Sequence, residues 1–85
     1  MKVRQSKEYN LGANIRKLRL FHKLTQERVV AKMQLLGIDI SRGTYSQIEC
    51  GISNIRVEEL LALCKIFKCE PNAFFEGIYL KSNEK

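Results

Sequence analysis

The sequence contains no tryptophan, one histidine, one proline and three cysteines in 85 residues. Each shortage removes a class of explanation. The lone histidine, His22, lies far along the chain from Cys64 and Cys69, and those two cysteines are not at a zinc spacing, so no metal centre is expected. An odd number of cysteines without an apolar export segment reads as reduced thiols, with Cys64 and Cys69 serving as small hydrophobes. There is no cysteine–histidine or serine–histidine spacing of note, no glycine-rich phosphate loop and no pair of carboxylates in a pocket-forming context. Glu58-Glu59 reads as an ordinary acidic first turn of a helix. An enzyme therefore has no support, and no cofactor is expected. No apolar run approaches a membrane span, and the basic start "MKVRQSKEYNLG" lacks the apolar stretch of a signal peptide, so the expected location is the cytoplasm.

What is present is an ordinary globular composition, 45% apolar and 28% charged, enough for one domain with one modest core. The single domain is expected to span residues 1–85, with its core over about 10–77. Residues 1–9, with Lys2, Arg4 and Lys7, are expected to form a loose basic arm, and residues 81–85 a polar tail. The charge is lopsided. Residues 1–42 hold ten Lys or Arg against three acids, whereas residues 43–85 hold five against six. A basic half suggests a polyanion, nucleic acid first, or else simply a solvated surface.

The chain reads as helices with short joints. Leu11, Ile15 and Leu18 share a face, which predicts a first helix from about Leu11 to Lys23, capped by Asn10. Thr25 is a good N-cap for a second helix that turns Val29, Val30, Met33 and Leu36 inward and stops near Gly37. Ile38 and Ile40 are expected to pin the following joint. A fourth helix from about Val57 to Lys68 has an apolar stripe of Val57, Leu60, Leu61, Cys64 and Phe67. Pro71 suits the first position of a fifth, carrying Phe74 inward and ending near Gly77.

The third segment, "SRGTYSQIECG" (41–51), is different. It is framed like a helix, by Ser41 and Gly51, but filled with residues that favour helix poorly. Tyr45 and Ile48 are its only substantial apolar anchors. Its other faces carry Arg42, Gly43, Thr44, Ser46 and Gln47, short or hydrogen-bonding groups suited to base-pair edges. Gln47 can pair bidentately with adenine. Arg42 can pair with guanine or contact a phosphate. Gly43 either thins the helix where it meets a groove wall or only permits a tight first turn. Backbone N–H groups and the Gln26 amide at the start of helix two can hold a phosphate.

Three stretches, "LGANIRKLRLFHKLTQERVV" (11–30), "ISRGTYSQIECG" (40–51) and "NIRVEELLALCKIFKCEPNAFF" (54–75), resemble the helix-turn-helix domains of the phage repressor/Cro type, the XRE family. The resemblance covers almost the whole chain. It implies an all-α, compact five-helix bundle in which helices two and three form the helix-turn-helix. It also implies a sequence-specific, repressor-like regulator of transcription that binds double-stranded DNA. The chain departs from the family in having Val30 where a small residue is usual, and a longer joint, "MQLLGIDISR", before helix three.

The resemblance implies that helix three (about 41–50) enters the major groove with Arg42, Gly43, Thr44, Ser46 and Gln47 toward the bases. Gln26, Ser41, Ser53, Asn54 and Arg56 are the candidates for the DNA backbone, although Arg56 has an alternative partner in Glu59. The family's helix-one arginine and the glutamate ending helix three correspond to Arg19 and Glu49, which implies a buried ion pair. One such domain touches little DNA, so a homodimer is expected, through Phe75, Ile78, Tyr79 and Leu80. The rival reading is a protein-partner module on the same fold, such as an antitoxin, and the apolar "AFFEGIYL" serves either.

Overall fold

The computed structural model describes residues 2, 3, 5 and 9–79. Among the described residues four α-helices follow one another: α1 (Gly12–Phe21), α2 (Gln26–Leu35), α3 (Arg42–Glu49) and α4 (Val57–Phe67). The expected fifth helix is instead one short 3-10 helix, Pro71–Phe75. Five residues between Pro71 and the left-handed Gly77 (φ 79°) leave little room for α-helical hydrogen bonding, and the tighter 3-10 turn suits so short a piece. The expectation of five helices is corrected accordingly.

A second correction concerns the N-terminus. Lys2–Val3 forms a strand, β1, which pairs antiparallel with Ile55–Arg56, β2; Lys2 stands opposite Arg56 and Val3 opposite Ile55. The start of the arm is therefore docked. Arg4 and Lys7, and the tail 81–85, lie outside the described residues.

Each helix boundary has a local cause. The Asn10 side chain accepts the Gly12 N–H at 3.1 Å, and Gln5 Oε1 accepts that of Leu11 at 2.6 Å, so groups from before the helix satisfy the start of α1. Lys23 takes a left-handed conformation (φ 57°) and stops α1. Thr25 accepts the Arg28 N–H and Ser41 that of Thr44, both at 3.1 Å. Glu59 reaches back to the Arg56 N–H at 2.8 Å to open α4, and left-handed Lys68 closes it.

The core gathers Ile15 from α1, Val29 and Met33 from α2, Tyr45 and Ile48 from α3, Leu63 and Phe67 from α4, together with Ile55 and Phe74. Val30 is buried too. Two expected core positions are corrected. Leu36 is 44% exposed, because it caps α2 rather than continuing it, and Leu61 is 52% exposed. The inner face of α4 runs instead through Leu60, Ala62, Leu63 and Phe67, while Val57 and Cys64 are only half-buried. Among the described residues, no helix is long and apolar enough to cross a membrane.

Candidate nucleic-acid interface

Helix α3 lies against α1 and α2 and turns Tyr45, Ile48 and Glu49 inward. Arg42, Gly43, Thr44 and Gln47 are exposed and Ser46 is half-buried. Gly43 stands in the open: an added Cβ would meet nothing nearer than Ser41 Oγ at 4.0 Å. The outer face is thus built from small or hydrogen-bonding groups, with no acid in the first turn.

The inner end of α3 is fixed by one carboxylate. Glu49 Oε2 accepts from Arg19 Nε at 2.7 Å and from the Tyr45 hydroxyl at 2.6 Å. Its Oε1 accepts from Arg19 Nη2 at 3.2 Å and from Gln26 Nε2 at 3.0 Å. Arg19 also donates through Nη1 to the Leu24 carbonyl at 2.9 Å. Burial disfavours the charged carboxylate, but the hydrogen bonds from Arg19, Tyr45 and Gln26 outweigh it and hold its pKa below the usual value. The same contact raises the pKa of Arg19, and burial followed by the bond to Glu49 raises that of Tyr45. Four hydrogen bonds on one carboxylate tie α1, the start of α2 and α3 together.

Two glycines permit this closeness. A Cβ at Gly12 would stand 2.2 Å from the Glu49 carbonyl oxygen, so α1 begins directly against the end of α3. Gly51 takes φ 77° just beyond α3, with the Asn10 side chain against the place a Cβ would occupy.

Beyond that turn the chain doubles back over α3. The Ile52 and Ser53 N–H groups donate to the Gln47 carbonyl at 2.9 and 3.3 Å, and the Ser53 hydroxyl donates to Gln47 Oε1 at 2.8 Å. Ser53 therefore faces a base-edge candidate rather than standing free for a phosphate. A shared groove is lined by Ser41, Thr44, Ser53, Asn54 and Arg56, together with Asp39, Glu58 and Glu59. Ser41 Oγ donates to Thr44 Oγ1 at 3.0 Å. Arg56 meets Glu59 through its backbone N–H, whereas its guanidinium is nearest Glu58, at 3.9 Å between exposed side chains. Arg42 is equally loosely held, 3.9 Å from exposed Glu27 on α2. Such pairs are worth about 0–1 kcal/mol and yield readily to a phosphate or a base.

The expected dimer residues lie elsewhere, on and after the 3-10 helix. Phe75 is 42% exposed, Tyr79 78% exposed and Ile78 half-buried, and Leu80 is outside the described residues. Phe21, 78% exposed, shares a groove with Ala73 and Glu76 of that segment and went unnoticed in the sequence. Gln5 was missed as well. Its Nε2 donates to the Ser53 carbonyl at 2.6 Å and the Ile48 carbonyl at 3.2 Å, and its N–H to Asn54 Oδ1 at 3.2 Å. A lone polar residue bonding to distant backbone carbonyls has no sequence signature.

Comparison with known proteins agrees with this geometry. A helix-turn-helix family model matches residues 15–74. A solved structure, the restriction-modification controller protein C.AhdI from Aeromonas hydrophila, is 28% identical with a TM-score of 0.66; the match covers 76% of this chain and 91% of that one. No curated protein matches. The matched segment holds the Arg19–Glu49 lock, the helix pair α2–α3 and the outward face of α3, and the chain belongs to the XRE-type helix-turn-helix family of DNA-binding transcription regulators.

Proposed function

We propose that the chain is a sequence-specific, repressor-like regulator that binds double-stranded DNA as a homodimer and lays α3 in the major groove. The observation that carries this reading is the two-sided character of α3. Its inner side is fixed by Tyr45, Ile48 and a fully bonded Glu49, while its outer side offers only Arg42, Gly43, Thr44, Ser46 and Gln47 to the surroundings. A helix that buries one narrow face and presents donors and acceptors on the other is suited to base edges.

Phosphate contacts come from the helix starts. The first N–H groups of α2 and α3 have no intrahelical acceptor, so the backbone at Gln26 and around Ser41 favours an anion. Gln26 keeps one amide hydrogen and its carbonyl oxygen beyond the bond to Glu49. Asn54 and Arg56 extend the same side. Dimerisation rests on the apolar side chains of Phe75, Ile78 and Tyr79, with Phe21 lining a groove against the same segment; Leu80, the fourth expected contact, lies outside the described residues. Similarity to a controller protein supports the regulatory role.

The reading as a protein-partner module has one observation in its favour. Leu35, Leu36 and Leu61 are exposed at 87%, 44% and 52%, and the latter two line a groove between the end of α2 and α4. Selection of bound duplexes from a random pool separates the two readings. A DNA-reading dimer enriches a two-fold symmetric site with half-site centres about 10–10.5 base pairs apart. A pool that stays random after repeated rounds contradicts the proposal and leaves the protein-partner reading.

A further inference from the structure

We infer that Ser53 and Gln5 are positioning residues for base recognition: the docked N-terminal segment holds the loop after α3, and the loop's Ser53 hydroxyl orients the Gln47 side chain toward DNA. This rests on the proposal that α3 reads bases. Gln47 is exposed, and a free glutamine side chain samples many rotamers, most of them unsuited to a base edge. Here it is tethered. The Ser53 hydroxyl lies 2.8 Å from Gln47 Oε1, and the left-handed turn at Gly51 returns Ser53 to that place through backbone bonds to the Gln47 carbonyl.

The tether has chemical consequences. With its carbonyl oxygen turned toward Ser53, Gln47 directs its two N–H donors away from the loop. Those donors suit the major-groove acceptors of a purine, N7 in either case and O6 of guanine. The oxygen retains a second lone pair, so bidentate pairing with adenine survives, with the amide already in place. Holding one long side chain before binding removes an ordering cost that association otherwise carries.

Ser53 is held in turn from the far end of the chain. Gln5 donates to the Ser53 carbonyl at 2.6 Å and to the Ile48 carbonyl of α3 at 3.2 Å, and accepts from Leu11 at 2.6 Å. Its backbone N–H bonds the Asn54 side chain, and the pairing of β1 with β2 secures the segment on its other side. The Gln5 side chain thus clamps the last turn of α3, the loop after it and the start of α1. Residues at the N-terminus set base preference without touching a base.

The test measures binding of the wild type, Gln47→Ala, Ser53→Ala, Ser53→Thr, Gln5→Ala and the Gln47→Ala/Ser53→Ala double variant to a selected duplex and its single-base substitutions. Salt dependence and melting temperature are read for each. Ser53→Ala is expected to lower the preference for the selected base by about two- to tenfold, at the same base position as Gln47→Ala. Melting temperature and salt slope should stay as in the wild type. The double variant should be no worse than Gln47→Ala alone, and Ser53→Thr, which keeps the hydroxyl, should retain the preference. Gln5→Ala should relax the same position. The inference is overturned if Ser53→Ala keeps the wild-type preference, if its effect adds fully to that of Gln47→Ala, or if it weakens all duplexes equally as lost phosphate contact would. If Gln47→Ala itself keeps the wild-type preference, the underlying reading of α3 fails whatever Ser53 does.

Discussion

Glu49 shows at the scale of one residue how a charge can be cheap to bury. Its carboxylate accepts four hydrogen bonds, and among the described residues every buried side-chain nitrogen or oxygen has a partner. Removing its charge strands Arg19. Glu49→Gln should destabilise the fold by about 3–5 kcal/mol at neutral pH, measured by urea unfolding. The sign with pH follows from its lowered pKa. The contribution is fully present above the ordinary carboxylate value of 4.5 and is lost as pH falls through the lower folded-state value. The gap between wild type and variant should therefore narrow on acidification below about pH 4.5; a gap independent of pH contradicts the assignment. At this scale the sequence was legible where a residue type does one thing locally. Thr25 and Ser41 cap the helices they precede because a hydroxyl there meets an amide three residues on. Gln5 was illegible because its partners, the Ile48 and Ser53 carbonyls, become neighbours only through the fold.

Legibility at the scale of elements depended on how sharply apolar and polar residues divide. α3 has two deep anchors, Tyr45 and Ile48, so its inner face could be read directly. α4 is apolar nearly all round, "VEELLALCKIF", and several stripes fit it. Packing against α2 and the 3-10 helix selected Leu60, Leu63 and Phe67, and left Leu61 outside. The last helix failed for a different reason. Pro71 and Gly77 marked its ends, and the signal that separates a 3-10 turn from an α-helix there is the short interval between them rather than the composition. α3 also offers a prediction in which stability and function part. Gly43→Ala fills open space and restricts the unfolded chain, so it should raise stability by up to about 1 kcal/mol. On a helix laid in a groove, the same methyl adds bulk against DNA and should weaken binding. Stability and affinity that rise together would place Gly43 away from the groove.

For the whole molecule, the distribution of surfaces matters most. Hydrogen-bonding groups gather around α3 and the loop after it, whereas Phe21, Phe75 and Tyr79 are exposed around the 3-10 helix. The composition could suggest a polyanion partner but could not separate these regions, since their residues come from both halves of the chain. A two-fold dimer through the second region would set two copies of α3 about 34 Å apart, in successive major grooves. Tyr79→Glu should then shift the sedimenting species from dimer toward monomer with little change in melting temperature. It should also cost affinity for a full symmetric site far more than for a half-site. A wild type that sediments as a monomer with and without DNA contradicts this arrangement.

In the proposed complex α3 reads sequence while the start of α2 holds the backbone. The most direct measurement compares wild type, Gln47→Ala and Gln26→Ala on a selected duplex and a scrambled one, at several salt concentrations. Gln47→Ala should weaken the selected site by about 1–3 kcal/mol and barely change the scrambled one. Gln26→Ala should weaken both by similar factors, because a phosphate contact carries little sequence information. Neither uncharged side chain should alter the salt slope appreciably. If Gln47→Ala leaves the selected site's advantage over scrambled DNA intact, the outward face of α3 is not the reading surface.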